Sequence, residues 1–313
     1  MASSVTLLDL LKLKSGADGI LHMADAVGAA APEVMALPST TIKGTSYDVT
    51  LVTAYPTTAF RKANSGVAAS GATFETRKAE CYILDTRIEV DKAVAASHDK
   101  GPDALMALYS TLAFKSALIR LGKVFIYGEA FDAAGFPGLA QMVTSGMTVD
   151  AGGTTATTGS SVYFICAGEM GIQFVYGMDS TFELQPFYDG EGADADGNKF
   201  PAHVSYLNCR AGLSCASPYA VGRLKDATAD ADKGVTDTQL SKVLELFPMD
   251  TYPTHCIMNR RSRAQLQRSR TVTLMGNGGK MGGTQGNIAP IPEEVFGIPI
   301  ICTDSLTNVE ALT

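Results

Sequence analysis

Residues 60–94 read FRKANSGVAASGATFETRKAECYILDTRIEVDKAV. The first part, Phe60 to Phe74, is polar and dotted with glycine. It lies between two segments that alternate as strands do. Upstream, Tyr47, Val49 and Leu51 fall on one side of an extended chain; downstream, Tyr82, Leu84, Thr86, Ile88 and Val90 do the same. A period of two over that length makes a long ribbon with one semi-apolar face. A two-stranded ribbon cannot bury such a face alone. The rest of the chain or a neighbouring copy has to cover it, so self-assembly is the first expectation, ahead of catalysis.

The chain has 313 residues, enough for a full core and two lobes. It is 46% apolar and 18% charged, the balance of a soluble globular protein. A net charge of −7 argues against a protein that neutralises phosphates over a broad surface, but is compatible with a shell that encloses DNA without gripping it. The six cysteines, Cys81, Cys166, Cys209, Cys215, Cys256 and Cys302, form no C-x-x-C pair. Most lie in apolar runs such as SVYFICAG and IPIICTD, so buried reduced thiols are expected rather than disulfides. No apolar run approaches the roughly 20 residues of a membrane span. The start, MASSVTLLDLLKLK, lacks the basic segment of a signal peptide and reads as a short amphipathic helix with Leu7, Leu8 and Leu11 on one face.

Along the chain, residues 1–40 look like an arm and 41–94 like the ribbon. Residues 99–128 hold the strongest helix. Pro102 suits the first position, Asp103 the positive end of the dipole, and Gly128 the end. Its expected buried stripe is Leu105, Leu108, Leu112 and Ile119, and roughly 25 residues make a rod of about 38 Å. FPGLAQMV follows at 136–143. SVYFICAG, a turn at Glu169–Gly171 and IQFVYG predict a strand pair, and Phe182–Phe187 a further apolar segment. DGEGADADGNKF predicts a hairpin turn at Asp196-Gly197. His203–Ser214 predicts a strand and Tyr219–Leu224 a short helix. Residues 236–247 predict a helix with a Thr236/Gln239 capping box and Leu240, Val243, Leu244 and Phe247 inward. Cys256–Met258 reads as a strand, Asn259–Arg270 as a basic helix, Gly276–Asn287 as a glycine-rich loop, and FGIPIICTDSL as a buried strand before the tail NVEALT.

The motifs that invite chemistry fail on spacing. GNGGKMGGTQGN contains Gly279-Lys280, but Met281 stands where a phosphate-binding loop needs Ser or Thr, and Leu274 where it needs its first glycine. Asp194, Asp196 and Asn198 supply oxygens for a calcium loop, but Lys199 replaces its glycine and no glutamate closes it. The four histidines, His22, His98, His203 and His255, are scattered, and no G-x-S-x-G elbow exists. No catalytic residue, cofactor or metal is expected. Arg260, Arg261, Arg263, Arg268 and Arg270 crowd one helix; contact with nucleic acid or an acidic neighbour competes with the plainer reading of a solvated face paired with the chain's own carboxylates.

Several segments, in order, resemble the major capsid proteins of tailed double-stranded DNA bacteriophages, of the Hong Kong-97 type fold. They are APEVMALP leading into the ribbon, FRKANSG at its tip, FETRKAECYIL and IEVDKAVA on the return, the long helix with FPGLAQMV, SVYFICAGEMGIQFVYG, CIMNRRSRAQL and FGIPIICTDSL. The resemblance covers about three quarters of the chain.

The resemblance implies an α+β fold of four parts. These are an N-terminal arm at 1–40, an extended β-hairpin loop at 41–85, a peripheral domain at 86–150 and about 181–225 with a spine helix at 102–127, and an axial domain at about 151–180 and 226–313. It implies a structural protein, not an enzyme, that assembles with itself through hexamers and pentamers into an icosahedral head enclosing DNA. The expected contact residues are Phe60, Arg61, Asn64 and Gly66 at the loop tip and Glu75 and Arg77 on the return strand. Gly276, Gly279, Lys280 and Gly283 are expected in an axial loop. No N-terminal scaffolding extension is expected, so the expectation is either a separate scaffolding protein or a mature form of the chain, with a portal and a decoration protein as further partners; no membrane is expected. Assembly is expected in the host cytoplasm and residence in the virion. Lys62 has no alignable asparagine for a covalent cross-link. The alternatives are an encapsulin-type nanocompartment shell and, further off, a nucleotide-using enzyme centred on Lys280.

Overall fold

The computed structural model describes residues 31–276 and 289–312 apart from 180, 195 and 231, and of 271–276 only the backbone. The amphipathic start and most of the expected arm therefore lie outside the described residues, as do Gly279, Lys280 and Gly283.

Two six-stranded sheets and a detached ribbon carry the fold. The first sheet runs β1 (Ser39–Thr41), β7 (Ile172–Tyr176), β10 (Lys199–Cys215), β4 (Tyr82–Asp91), with β8 (Phe182–Leu184) and β9 (Tyr188–Ala193) also paired to β10. The second runs β13 (Glu294–Val295), β14 (Ile298–Cys302), β12 (His255–Met258), β6 (Ser160–Ile165), β11 (Val221–Ala227), β5 (Thr148–Asp150). The ribbon is β2 (Ser46–Ala54) with β3 (Thr73–Glu80). The helices are α1 (Glu33–Ala36), α2 (Lys92–Ala96), α3 (Pro102–Tyr127), α4 (Leu139–Met142), α5 (Asp237–Leu244) and α6 (Arg260–Gly276).

The ribbon is shorter than the alternation suggested. Its second arm stops at Glu80, and Tyr82–Asp91 instead pairs with β10 from Ala211↔Tyr82 to Ala202↔Asp91. Period-two patterning marks a strand but not its partner. The inward side of β4, with Ile88 and Val90 buried, faces the protein's own core.

Helix α3 spans the 26 residues expected, about 39 Å. Of the expected stripe only Leu105 is buried, and Leu108 and Ile119 are half-covered. Leu112 stays 42% exposed. The buried row is Leu105, Ala117, Leu121 and Phe125, with Tyr109 and Ala113 partly covered between them. That row climbs by four residues per turn, and its alanines admit the sheet where leucines would hold it off. At the far end, Gly128 adopts φ +57 and the FPGL turn folds back on it. A Cβ on Gly138 would stand 2.4 Å from Gly128 N and one on Gly128 2.2 Å from Gly138 N, so both positions exclude side chains. α3 is long and apolar enough, by length and composition alone, to cross a bilayer, contrary to the sequence expectation; here one apolar face packs on the first sheet.

SVYFICAG and IQFVYG do form strands, but not a pair. β6 joins β11 and β12 in the second sheet, and β7 joins β10 and β1 in the first. The turn between them carries the chain across. All of β6 is buried because it separates two cores: Tyr163 and Ile165 pack with α3 and the first sheet, Val162 and Phe164 with α5 and α6. Burial on both faces gives the continuous apolar run. The expected helix at Tyr219–Leu224 is absent: Val221–Ala227 is β11, held between β6 and β5, and tertiary pairing overrides local preference.

Other elements follow the sequence. The β9–β10 hairpin turns at 194–198, where Asp194 accepts from the backbone N of Asp196 (3.0 Å) and Asn198 (2.7 Å). α5 starts at Thr236, whose hydroxyl accepts from Gln239 N at 3.3 Å. The reciprocal half of the capping box is missing, because the Gln239 amide points to Ala151 O instead. All six cysteines are free thiols.

Candidate assembly interface

Among the described residues the ribbon pairs with no other strand, and no residue from 46 to 80 is buried. Its cross-strand pairs run from Ser46↔Glu80 to Ala54↔Thr73. One face carries Tyr47, Val49 and Leu51 opposite Ala79, Arg77 and Glu75, half-covered toward the root. The exposed apolar side chains are Val52, Tyr55, Phe60, Val67 and Phe74. Phe60 is as exposed as in an extended peptide, at 110%. Two free edges and this much uncovered apolar surface would be an aggregation hazard on an isolated subunit.

The tip is ordered by its own backbone. Ser65 N donates to Lys62 O at 3.2 Å and Ser65 Oγ to the same carbonyl at 2.9 Å. Arg61 Nη1 donates to Ser65 O at 3.1 Å, and Asn64 takes φ +66, which asparagine tolerates. Thus Arg61 and Asn64 shape the turn, while Phe60 and Gly66 are fully presented. Glu75 and Arg77 lie on one face of β3 and meet each other at 4.0 Å in solvent, a pairing worth about 0–1 kcal/mol.

The root is rigid. Cys81 N donates to Thr45 O at 2.8 Å, closing the two ends together. Ile42 N donates to Tyr176 O, and Met178 N to Gly44 O, tying the incoming arm to β7. The outgoing arm passes directly over β10 at Gly212, where a Cβ would lie 2.3 Å from Glu80 O. Beyond the root, the free edge of β4 and the α3 segment 116–124 border an open groove of about 470 Å³.

The basic helix is not a bare charged face. Arg261 donates to Thr158 O (2.7 Å), Ala227 O (3.1 Å) and Asn308 O (3.3 Å), and Arg263 to Pro292 O at 2.9 Å. Arg270 holds Asp237 through two bonds of 2.8 and 2.9 Å, joining α6 to α5. Arg260 and Arg268 face solvent. The Arg270–Asp237 pair fits the plainer reading of pairing with the chain's own carboxylates, whereas the backbone bracing by Arg261 and Arg263 fits neither reading. Nor did the sequence disclose the C-terminal strap. Glu310 accepts from Tyr127 Oη (2.7 Å) and Ser161 Oγ (2.6 Å), and Arg223 donates to Ser161. Burial, then the Glu310 charge, pushes the Tyr127 phenol well above its ordinary range. These are isolated polar residues far apart in sequence, and no local pattern flags them. Among the described residues no three His, Cys, Asp or Glu side chains gather as a metal site.

A family model described as Major capsid protein GP7 matches residues 37–312, nearly the whole described body. The chain belongs to this family of major capsid proteins. No curated protein sequence matches it. In structure it is similar to a chain of bacteriophage Epsilon15, with a TM-score of 0.68 at 16% identity, covering 100% of this chain and 98% of that one. That likeness shows a common fold, the Hong Kong-97 type α+β fold. The SrpI encapsulin of Synechococcus elongatus PCC 7942 gives 0.47 at 9% identity over 71% of this chain and 95% of that one. The capsid of Myoviridae phage XM1 gives 0.48 at 10% over 69% and 97%.

A major capsid protein is a structural component of the virion and not an enzyme, and it assembles with copies of itself into a shell. Gly276 ends α6; Gly279, Lys280 and Gly283 lie beyond the described residues.

Proposed function

We propose that the capsid protein forms hexamers and pentamers that close into an icosahedral head around double-stranded DNA, each subunit laying its ribbon over a neighbour. The observation that carries this reading is the ribbon: 35 consecutive residues, 46–80, without one buried side chain, on a root fixed by hydrogen bonds. In this reading the first sheet with α3 is the peripheral domain and the second sheet the axial domain, which moves β7 out of the expected axial span and β5 and most of β11 out of the expected peripheral one. Phe60, Arg61, Asn64, Gly66, Glu75 and Arg77 are the contact residues, whereas Gly276, expected in an axial loop, is the last residue of α6. A net charge of −7 suits a wall that contains DNA without binding its sequence. Assembly in the host cytoplasm with scaffolding, portal and decoration proteins belongs to the same reading, supported by the resemblance of arm and ribbon to tailed-phage capsid proteins.

Electron microscopy of the purified full-length protein at high concentration tests it. Closed shells with capsomers are expected, and persistent monomers under all conditions would oppose it. Deleting residues 58–76 is expected to leave a folded, assembly-defective subunit; shells from that deletion would refute the role given to the ribbon.

A further inference from the structure

The root of the arm and the C-terminal strap meet over the C-terminal part of α3 at a side chain that the assembly reading does not use. Glu33, the first residue of α1, is 0% exposed. Its Oε1 accepts from Ser305 Oγ at 2.5 Å, across 272 residues of sequence. Its Oε2 has no hydrogen-bond partner among the described residues. The helix supplies only backbone at this point: a Cβ on Gly122 would stand 2.5 Å from Glu33 Oε1 and 2.5 Å from Ser305 Oγ. An ionised carboxylate with one bare oxygen is strongly disfavoured in such a place, whereas a neutral acid carries a hydroxyl there at far smaller penalty.

Among the described residues, the groups around Glu33 offer no compensating charge. The segment 303–305 brings Thr303, Ser305 and the acid Asp304, whose charge opposes a second one. On α3, Gly122 is neutral, and the adjacent Lys123 turns away to lie 5.5 Å from the centre of the Phe131 ring. Burial therefore pushes the Glu33 carboxyl above its ordinary range, against the weaker pull of the Ser305 and Thr303 hydroxyls.

We propose that Glu33 is a proton-controlled latch: with its proton it fastens the root of the arm to α3 and the C-terminal strap, and without it that junction loosens. The chain leaving α1 enters β1 and then the ribbon, so the latch holds the base of the element that reaches out. It acts within one subunit and does not rest on the assembly reading.

The sign follows from linkage. Below the ordinary glutamate value, folded and unfolded chains both hold the proton and the latch is closed. Between that value and the raised folded-state value only the folded chain holds it, so stability falls as pH rises; above the folded-state value the loss is complete. The test compares full-length wild type with Glu33→Gln, which keeps the shape and cannot ionise. With thermal melts from about pH 4.5 to about pH 9, the two should melt together at the acid end and wild type fall behind by about 2 °C or more at the alkaline end. Hydrogen exchange of residues 33–41, corrected for its intrinsic rate, should rise by about tenfold per pH unit until the folded-state value is passed, and only in wild type. Ser305→Ala, which removes a bond favouring the charged form, should move the plateau to higher pH. Parallel pH curves for wild type and Glu33→Gln would overturn the proposal. If Glu33→Gln does not fold, an unmoved plateau in Ser305→Ala overturns it equally. Both readouts work on unassembled subunits, so a failure to form shells leaves this test intact.

Discussion

Gly212 lies where two backbones cross with no room between them. Valine there would set its Cβ against the Glu80 carbonyl, an atom of a hydrogen-bonded strand that cannot rotate aside. We expect Gly212→Val to destabilise the subunit by about 1–3 kcal/mol, read as a lower urea midpoint, because the ribbon root must lift off β10. The cysteines give a second expectation. Burial pushes the thiol of Cys209 up to about 12 and that of Cys166 up to about 11, and places Cys256 higher still. Alkylation of the native protein at about pH 8 should therefore reach the part-exposed Cys302 and Cys81 first and Cys256 only on unfolding, as mass spectrometry of the labelled peptides would show. Burial holds for Cys166, Cys209 and Cys256, while Cys81, Cys215 and Cys302 are only partly covered although IPIICTD reads as a buried run. Glu33 was not legible: one acid in APEVMALP looks solvated, and nothing local reveals a serine 272 residues away.

The elements were easier to find than their partners. α3 was readable to the residue because Pro102, Asp103 and Gly128 punctuate it, yet its buried face was misassigned apart from Leu105; leucines mark apolarity, while close approach of a sheet selects alanines. The alternation from Tyr82 to Val90 identified a strand, but its pairing with β10 depends on residues more than a hundred positions away. The ribbon itself stood out because its polar, glycine-bearing tip is where no core has to be satisfied. From its geometry we expect that replacing residues 55–72 with an Asn-Gly turn leaves the melting temperature within about 2 °C, since no buried contact is lost, while particles vanish from size-exclusion profiles. At the other end, Thr236→Ala removes the one side-chain cap of α5 and should lower stability by about 1 kcal/mol in urea titration.

Across the molecule, the charge of −7 repels each subunit from its copies before short-range contacts form. Raising salt from about 50 mM to about 300 mM shortens the screening length from over 10 Å to about 6 Å, and light scattering should then report faster shell growth. Slower growth would mean that attraction between opposite patches governs the encounter. The order of strands sets a further constraint on the whole. The first sheet draws on residues 39–41, 82–91 and 172–215, the second on 148–165, 221–227 and 255–302. The polypeptide thus shuttles between the layers, with β6 and β7, neighbours in sequence, ending on opposite sides. A recombination breakpoint near the middle of the gene would give each layer mismatched halves. Mosaic exchange between related viruses should accordingly swap this gene entire, or trade only the ribbon, whose two ends meet at Thr45 and Cys81.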